Sequence, residues 1–313
     1  MGTEYDRKVA GGGASNAMFA ILLAGTTAAA QPAGPELVTV GGGTVEVHIG
    51  PPEPSVPRPA LLRWVKRCAT AVSAYFGRFP VENVRLNVIT GSPGQIGNGM
   101  TWGGRGPVIR VSVGRDTKEA DFESDWLLTH EMTHLAFPDM EEEHHWIEEG
   151  LATYVEPVAR AQIGWIRPPE VWGGLADGLP KGLFRQRGQG LDGTRSWGRT
   201  YWGGALFWLL AELDLREKTK NRKGLPDALR GLQAAGGSIR VHWPIARALE
   251  AADEATGTRV LRDLYARMGP SPMDVDLDAI WNRLGIRRER GQVTFDDSAP
   301  LARIRRTITK PAE

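Results

Sequence analysis

Hydrophobic and polar positions change period repeatedly along the 313-residue chain. From Glu36 to Gly50, short apolar alternations flank Gly41 to Gly43, which predicts two strands around a glycine turn. Pro51 to Pro59 reads as an extended linker. Between Ala60 and Phe76 the spacing becomes three and four. Leu61, Val65, Cys68, Val72 and Tyr75 fall on one stripe, which predicts an amphipathic helix ended by Gly77. Alternation returns at Val84, Leu86 and Val88, and again at Ile109, Val111 and Val113, as two further strands. A glycine-rich loop, 91–107, lies between them. Helical spacing then dominates. One helix is expected from about Asp121 to Phe137, stopped by Pro138. A second is expected over about His145 to Val155, stopped by Pro157. A third covers Tyr201 to Lys218, after an irregular stretch rich in Gly, Trp and Pro. Helical stripes continue to about Leu284, and residues 291–309 are expected to end the chain as a strand pair. Strands first and helices afterwards argue for an α+β fold, a mixed sheet followed by a helical part.

Composition narrows the function classes. Hydrophobic residues make up 41% of the chain, enough for a large core. The 38 basic and 37 acidic residues nearly cancel, so no net field draws in nucleic acid or an anionic membrane. Eleven tryptophans suit aromatic-lined clefts. Cys68 is the only cysteine, which excludes an intramolecular disulfide and a thiolate metal cluster. Its place on the apolar stripe makes it a packing residue.

The N-terminus carries a leader pattern. Arg7 and Lys8 precede an apolar run, Met18 to Ala24, then small residues in an A-x-A pattern at Ala28 to Ala30. Residues 1–30 are therefore expected to be a signal peptide or leader, and the protein to be exported to a periplasm or the outside. The run is too short for a permanent membrane span, and no other stretch is long enough. Residues 31–59 form the strand pair and linker. Residues 60–309 form the main domain, with the sheet in about 60–165 and a helical subdomain in 166–309.

Candidate chemistry concentrates in one stretch. Residues 127–154 hold four of the six histidines. His130, Glu131 and His134 form an HExxH pattern. On a helix, positions i and i+4 share a face, and two imidazoles there can bind one Zn²⁺ while neutral. Leu127, His130, His134 and Phe137 form one stripe, so the histidines face inward. Glu131 sits beside the metal position, where it can take a proton from an activated water. The plain alternative is a pair of hydrogen-bonded core histidines.

A catalytic zinc needs a third protein ligand and one open position. Met140 stands where a third histidine six residues after His134 would be, so that route fails. His144 and His145 lie beyond Pro138 and are minor candidates that more readily flank the second helix. Glu149 and its neighbour Glu148 lie on the second helix, whose apolar face is Ile147, Gly150, Leu151 and Tyr154. Gly150 is expected to let the two helix backbones approach. Glu141 to Glu143 read as solvated loop charges. Thr153 and Glu156 are weaker candidates for supporting the ligands.

These motifs resemble the gluzincin zinc metallopeptidases of the thermolysin-like superfamily, in the branch of the glycyl aminopeptidases and the aminopeptidase–leukotriene hydrolase group. There, HExxH is followed by W-x-x-E-G-x-A, whose glutamate is the third ligand. Trp146 to Ala152 matches that pattern and selects Glu149. The branch also carries a tyrosine in Y-x-x-G-A that stabilises the oxyanion, and Tyr201 to Ala205 matches it. The resemblance covers about Pro80 to Thr309, with specific motifs at three places. It implies a thermolysin-like zincin domain with one Zn²⁺ per chain and a peptide or protein as substrate. Two departures stand out. The interval from His134 to Glu149 is shorter than in the aminopeptidases. Thr101, in the stretch Met100 to Trp102, stands where their amine-binding glutamate would be. A neutral threonine does not pair with an ammonium as a carboxylate does, so endopeptidase and aminopeptidase action both stay open.

The expected function is zinc-dependent peptide hydrolysis. His130, His134 and Glu149 hold the metal, Glu131 is the base and Tyr201 the oxyanion donor. The edge strand near Met100, Thr101 and Trp102 is expected to pair with an extended substrate backbone. The rival is a non-catalytic, zinc-stabilised scaffold that binds peptides, which would have no use for Glu131.

Overall fold

Strand β1 (Glu36–Val40) turns through Gly41 and Gly42 into β2 (Gly43–Ile49), an antiparallel pair. β3 (Asn83–Ile89) runs parallel to β2. A parallel neighbour requires a crossover, and α1 (Arg58–Phe76) supplies it. Pro59 sits in the first turn of α1, where its missing N–H costs nothing. Gly77, at φ 79°, closes the helix in the left-handed region. β4 (Ile96–Trp102) and β5 (Val108–Val113) complete a five-stranded mixed sheet in the order β1-β2-β3-β5-β4. β5 is parallel to β3. β4 is antiparallel to β5 and forms one edge of the sheet, with β1 at the other.

The computed structural model describes residues 34–183, 189–289 and 291–312; the expected leader, 1–30, lies outside them. Val84, Leu86 and Val88 of β3 are buried while their neighbours are not, so the sheet covers one face and solvates the other. α1 lies on the covered face with Leu61, Val65, Val72 and a fully buried Cys68. The helices that follow are α2 (Asp121–Ser124), α3 (Leu127–His134), α4 (His145–Gln162), α5 (Pro168–Gly178), α6 (Gly204–Lys218), α7 (Leu225–Ala234), α8 (Ile245–Thr256), α9 (Val260–Met268) and α10 (Leu277–Leu284). A hairpin, β6 (Ile286–Glu289) and β7 (Gln292–Phe295), and α11 (Ala302–Ile308) close the chain. Pro35–Glu313 forms one unit. Among the described residues no helix is long and apolar enough to cross a membrane.

Five local expectations are corrected. The helix expected over 121–137 is two helices, because Asp125 turns extended between them. Its carboxylate accepts from the backbone N–H of Leu127 and Leu128 (3.2 and 3.3 Å) and from Trp64 Nε1 (2.9 Å), starting α3 afresh. α4 continues through Pro157 to Gln162. Proline removes one helix hydrogen bond, and the buried side chains Val158, Ala159 and Ala161, with a Glu156–Arg160 ion pair at 2.5 Å, hold the helix on regardless. The irregular stretch contains α5, started by Pro168 and Pro169 and buried through Val171, Trp172 and Leu175. Residues 302–308 are helical rather than extended. Arg305 is buried there, donating to the carbonyls of Leu284 (2.7 Å) and Gly285 (3.0 Å). The glycine-rich loop 91–107 contains β4, whose alternation is masked by Gly97 and Gly99.

Candidate metal centre

α3 lies between the sheet and α4, and its fixed start at Asp125 sets which side chains face α4. His130 is buried, and the side chain of His134 is 12% exposed. α4 presents Glu149 to both. The position of α4 is set by close approach to α6. A Cβ on Gly150 would lie 2.2 Å from the Gly204 carbonyl carbon, and one on Gly204 would lie 2.2 Å from the Trp146 carbonyl oxygen. Trp208 Nε1 donates to the Ile147 carbonyl at 2.8 Å. Gly150 therefore brings α4 against α6, not against α3 as expected from the sequence.

The ligand-type atoms of His130, His134 and Glu149 all lie within 4.8 Å of one another. Glu149 Oε2 is 3.1 Å from His130 Nε2 and 3.7 Å from His134 Nε2. Ligands about 2.0–2.2 Å from a tetrahedral zinc stand roughly 3.3 Å apart, so this donor set fits the ion. Burial alone would raise the Glu149 carboxyl, but the imidazoles of His134, His130 and His145 outweigh it and hold the group far below the usual range. Glu149 is thus an anion facing two imidazole nitrogens.

A cleft of about 600 Å³ opens at this cluster, between β4 and α4. Glu131, His134, Glu149 and Tyr201 line it on one side and Met100, Thr101 and Trp102 on the other. Glu131 is 6% exposed, and burial raises its carboxyl above the ordinary value, against His134 and Thr101, which lower it. Thr101 Oγ1 donates to Glu131 Oε2 at 2.6 Å. Tyr201 sits in a single π-turn, Arg199–Gly203, at the entrance to α6, an irregularity found often at functional sites. Its ring stacks on His130 (6.0 Å between centroids, 18°) and on Trp197 (5.5 Å, 28°). Burial and the Glu149 carboxylate push the Tyr201 phenol well above its ordinary value, so it stays a hydroxyl donor.

A second cavity, about 430 Å³, lies on the other side of His130 and Tyr201. Trp126, Trp197, Trp202, Val171 and Leu175 form its walls. Thr153 and Glu156 line this cavity, and the Glu156–Arg160 pair bounds it. Burial pushes the Glu156 carboxyl up to about 7.

The structure brings together His130, Glu131, His134, Glu149, Tyr201 and the stretch Met100 to Trp102. Glu148 turns to His145 (3.6 Å) instead of the cluster. His144 Nδ1 pairs with Asp192 at 2.9 Å. His145 Nε2 lies 3.3 Å from Glu149 Oε1, and the adjacent Glu148 and Glu149 carboxylates raise its pKa to about 10, so it flanks the cluster as a cation. Three participants were not foreseen. Trp126 packs edge-on against His130 (5.6 Å, 87°), Trp197 covers Tyr201, and Gly99 lies against Glu131. Only Gly99 left a signal, since a glycine inside a strand marks close approach.

Among solved structures, the chain is similar to an aminopeptidase N family protein from Idiomarina loihiensis, at 14% identity and a TM-score of 0.61, covering 80% of this chain and 49% of that one. Over the matched part the two share a fold. It is also similar to an M1 zinc metallopeptidase from Deinococcus radiodurans, at 19% identity and a TM-score of 0.46, over 77% and 53% of the two chains. The chain spans about half the length of these structures. No family model matches the sequence, and no curated protein does. The gluzincin resemblance drawn from the motifs thus meets a matching fold and an assembled His-His-Glu cluster.

Proposed function

We propose that the protein is a zinc-dependent peptide-bond hydrolase of the gluzincin type, with the thermolysin-like arrangement of its helices around the metal. The observation that carries this reading is the convergence of His130, His134 and Glu149 within 4.8 Å, with a buried carboxylate, Glu131, beside them in an open cleft. A structural zinc site is closed by four protein ligands, whereas three ligands and a cleft leave a position for solvent.

His130, His134 and Glu149 hold the ion. When bound, zinc supplies Lewis acidity to water and to the scissile carbonyl. Glu131 takes the proton of the attacking water and returns it to the departing amine. Its burial raises its basicity, which suits both halves of that task. Tyr201, kept protonated by its surroundings, donates to the oxygen that gains charge. β4 is an edge strand of the sheet, beside the cluster, and offers its backbone to an extended peptide. Export through the N-terminal segment belongs to the same proposal.

The test is a comparison of the purified protein with Glu131→Gln. Both should bind one zinc per chain. The variant should cleave a fluorogenic peptide library about 10²–10⁴-fold more slowly in kcat. Full cleavage by a zinc-loaded Glu131→Gln would remove Glu131 as the base. No cleavage by either protein would favour the scaffold.

A further inference from the structure

The edge strand β4 contains one irregularity, and it determines what faces the base. Asn98 sits at φ 50° and the pairing with β5 shifts there: Gly97 faces Ser112, but Gly99, not Asn98, faces Val111. Partners directly across a ladder share a face. Val111 and Ile109 point into the core at 0% exposure, so their partners Gly99 and Thr101 point the same way, toward α3. Without the extra residue, Asn98 and Met100 would take those places, because a one-residue slip exchanges the two faces of a strand.

Both re-aimed residues meet Glu131. A Cβ on Gly99 would lie 2.4 Å from Glu131 Oε1 and 2.6 Å from its Cγ, so the carboxylate occupies space that only glycine leaves free. Thr101 Oγ1 lies 2.6 Å from Glu131 Oε2 and 3.0 Å from the Glu131 backbone oxygen. A hydroxyl has one proton to give, and the carboxylate is the nearer and stronger acceptor. The Glu131 carbonyl belongs to the last turn of α3, where helix carbonyls lack helical donors, and it is the alternative acceptor.

We propose that the Asn98 bulge builds a cradle for the catalytic base, in which Gly99 makes room for the Glu131 carboxylate and Thr101 is a positioning residue that locks its rotamer by donating to Oε2. This rests on the reading of Glu131 as the base. The lone pair on Oε1 stays free for the substrate water while Oε2 is held. Thr101 thereby contributes to rate through Glu131, without gripping the substrate. A long side chain in a cleft retains several rotamers, and fixing one of them pre-arranges the reacting group before substrate arrives.

The experiment compares Thr101→Val, Thr101→Ser and Gly99→Ala in the zinc-loaded full chain, on a fluorogenic peptide selected from a library, with zinc content and a crystal structure for each. Thr101→Val should lower kcat about 10-fold or more with KM within about 2-fold and one zinc retained, and its Glu131 side chain should leave β4. Thr101→Ser should stay within about 3-fold of the parent with Glu131 in place. Gly99→Ala should displace Glu131 while β4 keeps its course. Unchanged kcat in Thr101→Val overturns the cradle, as does equal loss in the Ser and Val variants, which would assign Thr101 to packing alone. If Glu131→Gln itself keeps full activity, the base assignment fails first, a result that the threonine variants cannot imitate.

Discussion

The two walls of the cleft are built differently. The helical wall, α3 and α4 backed by α6, is buried and held by contacts between backbones, as at Gly150 and Gly204, and by Trp208 donating to Ile147. The strand wall is a sheet edge with Gly97, Gly99 and Gly103, where Met100 and Trp102 are 40% and 42% exposed. On the proposed function, one wall sets ligand geometry before a metal arrives, so little reorganisation is needed on binding. The other is left open, as a surface that admits a changing substrate would be. Four of the six large exposed hydrophobics among the described residues, Met100, Trp102, Trp126 and Trp197, line one of the two cavities beside the cluster, which places the apolar surface available for recognition around the chemistry.

If the helical wall carries the metal, the largest effect comes from its ligands. His134→Ala should remove zinc and activity together, read as metal content by elemental analysis alongside cleavage; retained stoichiometric zinc would detach His134 from the site. Tyr201→Phe keeps the ring on His130 and removes only the donor. It should reduce kcat by about 10²–10³-fold with zinc unchanged, and a wild-type kcat would return Tyr201 to packing. Gly150→Ala tests the wall's support: its methyl would collide with Gly204, costing about 1–3 kcal/mol as overpacking, measured by urea unfolding. The smallest effect is a pH dependence. The folded chain holds the Glu156 carboxyl near 7, against 4.5 ordinarily. The folded state therefore binds a proton that the unfolded state releases between those values. This contribution is fully present below about 4.5 and is lost as pH rises through about 7, with a magnitude of at most about 3 kcal/mol. Unfolding free energies measured across that window should decline with pH in the parent and decline less in Glu156→Gln.

The helical wall was also the legible one. His130, Glu131 and His134 announce themselves by spacing, because helix periodicity converts i and i+4 into a shared face. Glu149 was separable from Glu148 only through the family motif, since both neighbours occupy the same helix. The strand wall is legible only through the resemblance, which places an edge strand near Met100 to Trp102 in a stretch that otherwise reads as a loop. Gly97 and Gly99 interrupt the alternation that marks β4, and the Asn98 bulge shifts the period by one, so Thr101 read as a substrate contact and not as a partner of Glu131. Pro157 misled in the other direction, because tertiary burial on α4 outweighed one lost hydrogen bond. The split of 121–137 depends on the Asp125 carboxylate accepting from the N–H groups of Leu127 and Leu128 and from Trp64, a contact 61 residues away in sequence.

A diffraction experiment at the zinc absorption edge on crystals of the purified protein bears on all of this at once. One anomalous peak per chain is expected, about 2.0–2.2 Å from His130 Nε2, His134 Nε2 and a Glu149 carboxylate oxygen, with the remaining corner open to the cleft and Glu131 beside it. A zinc-replete crystal with no peak there, or a peak held by other residues while these three stay hydrogen-bonded to one another, would contradict it.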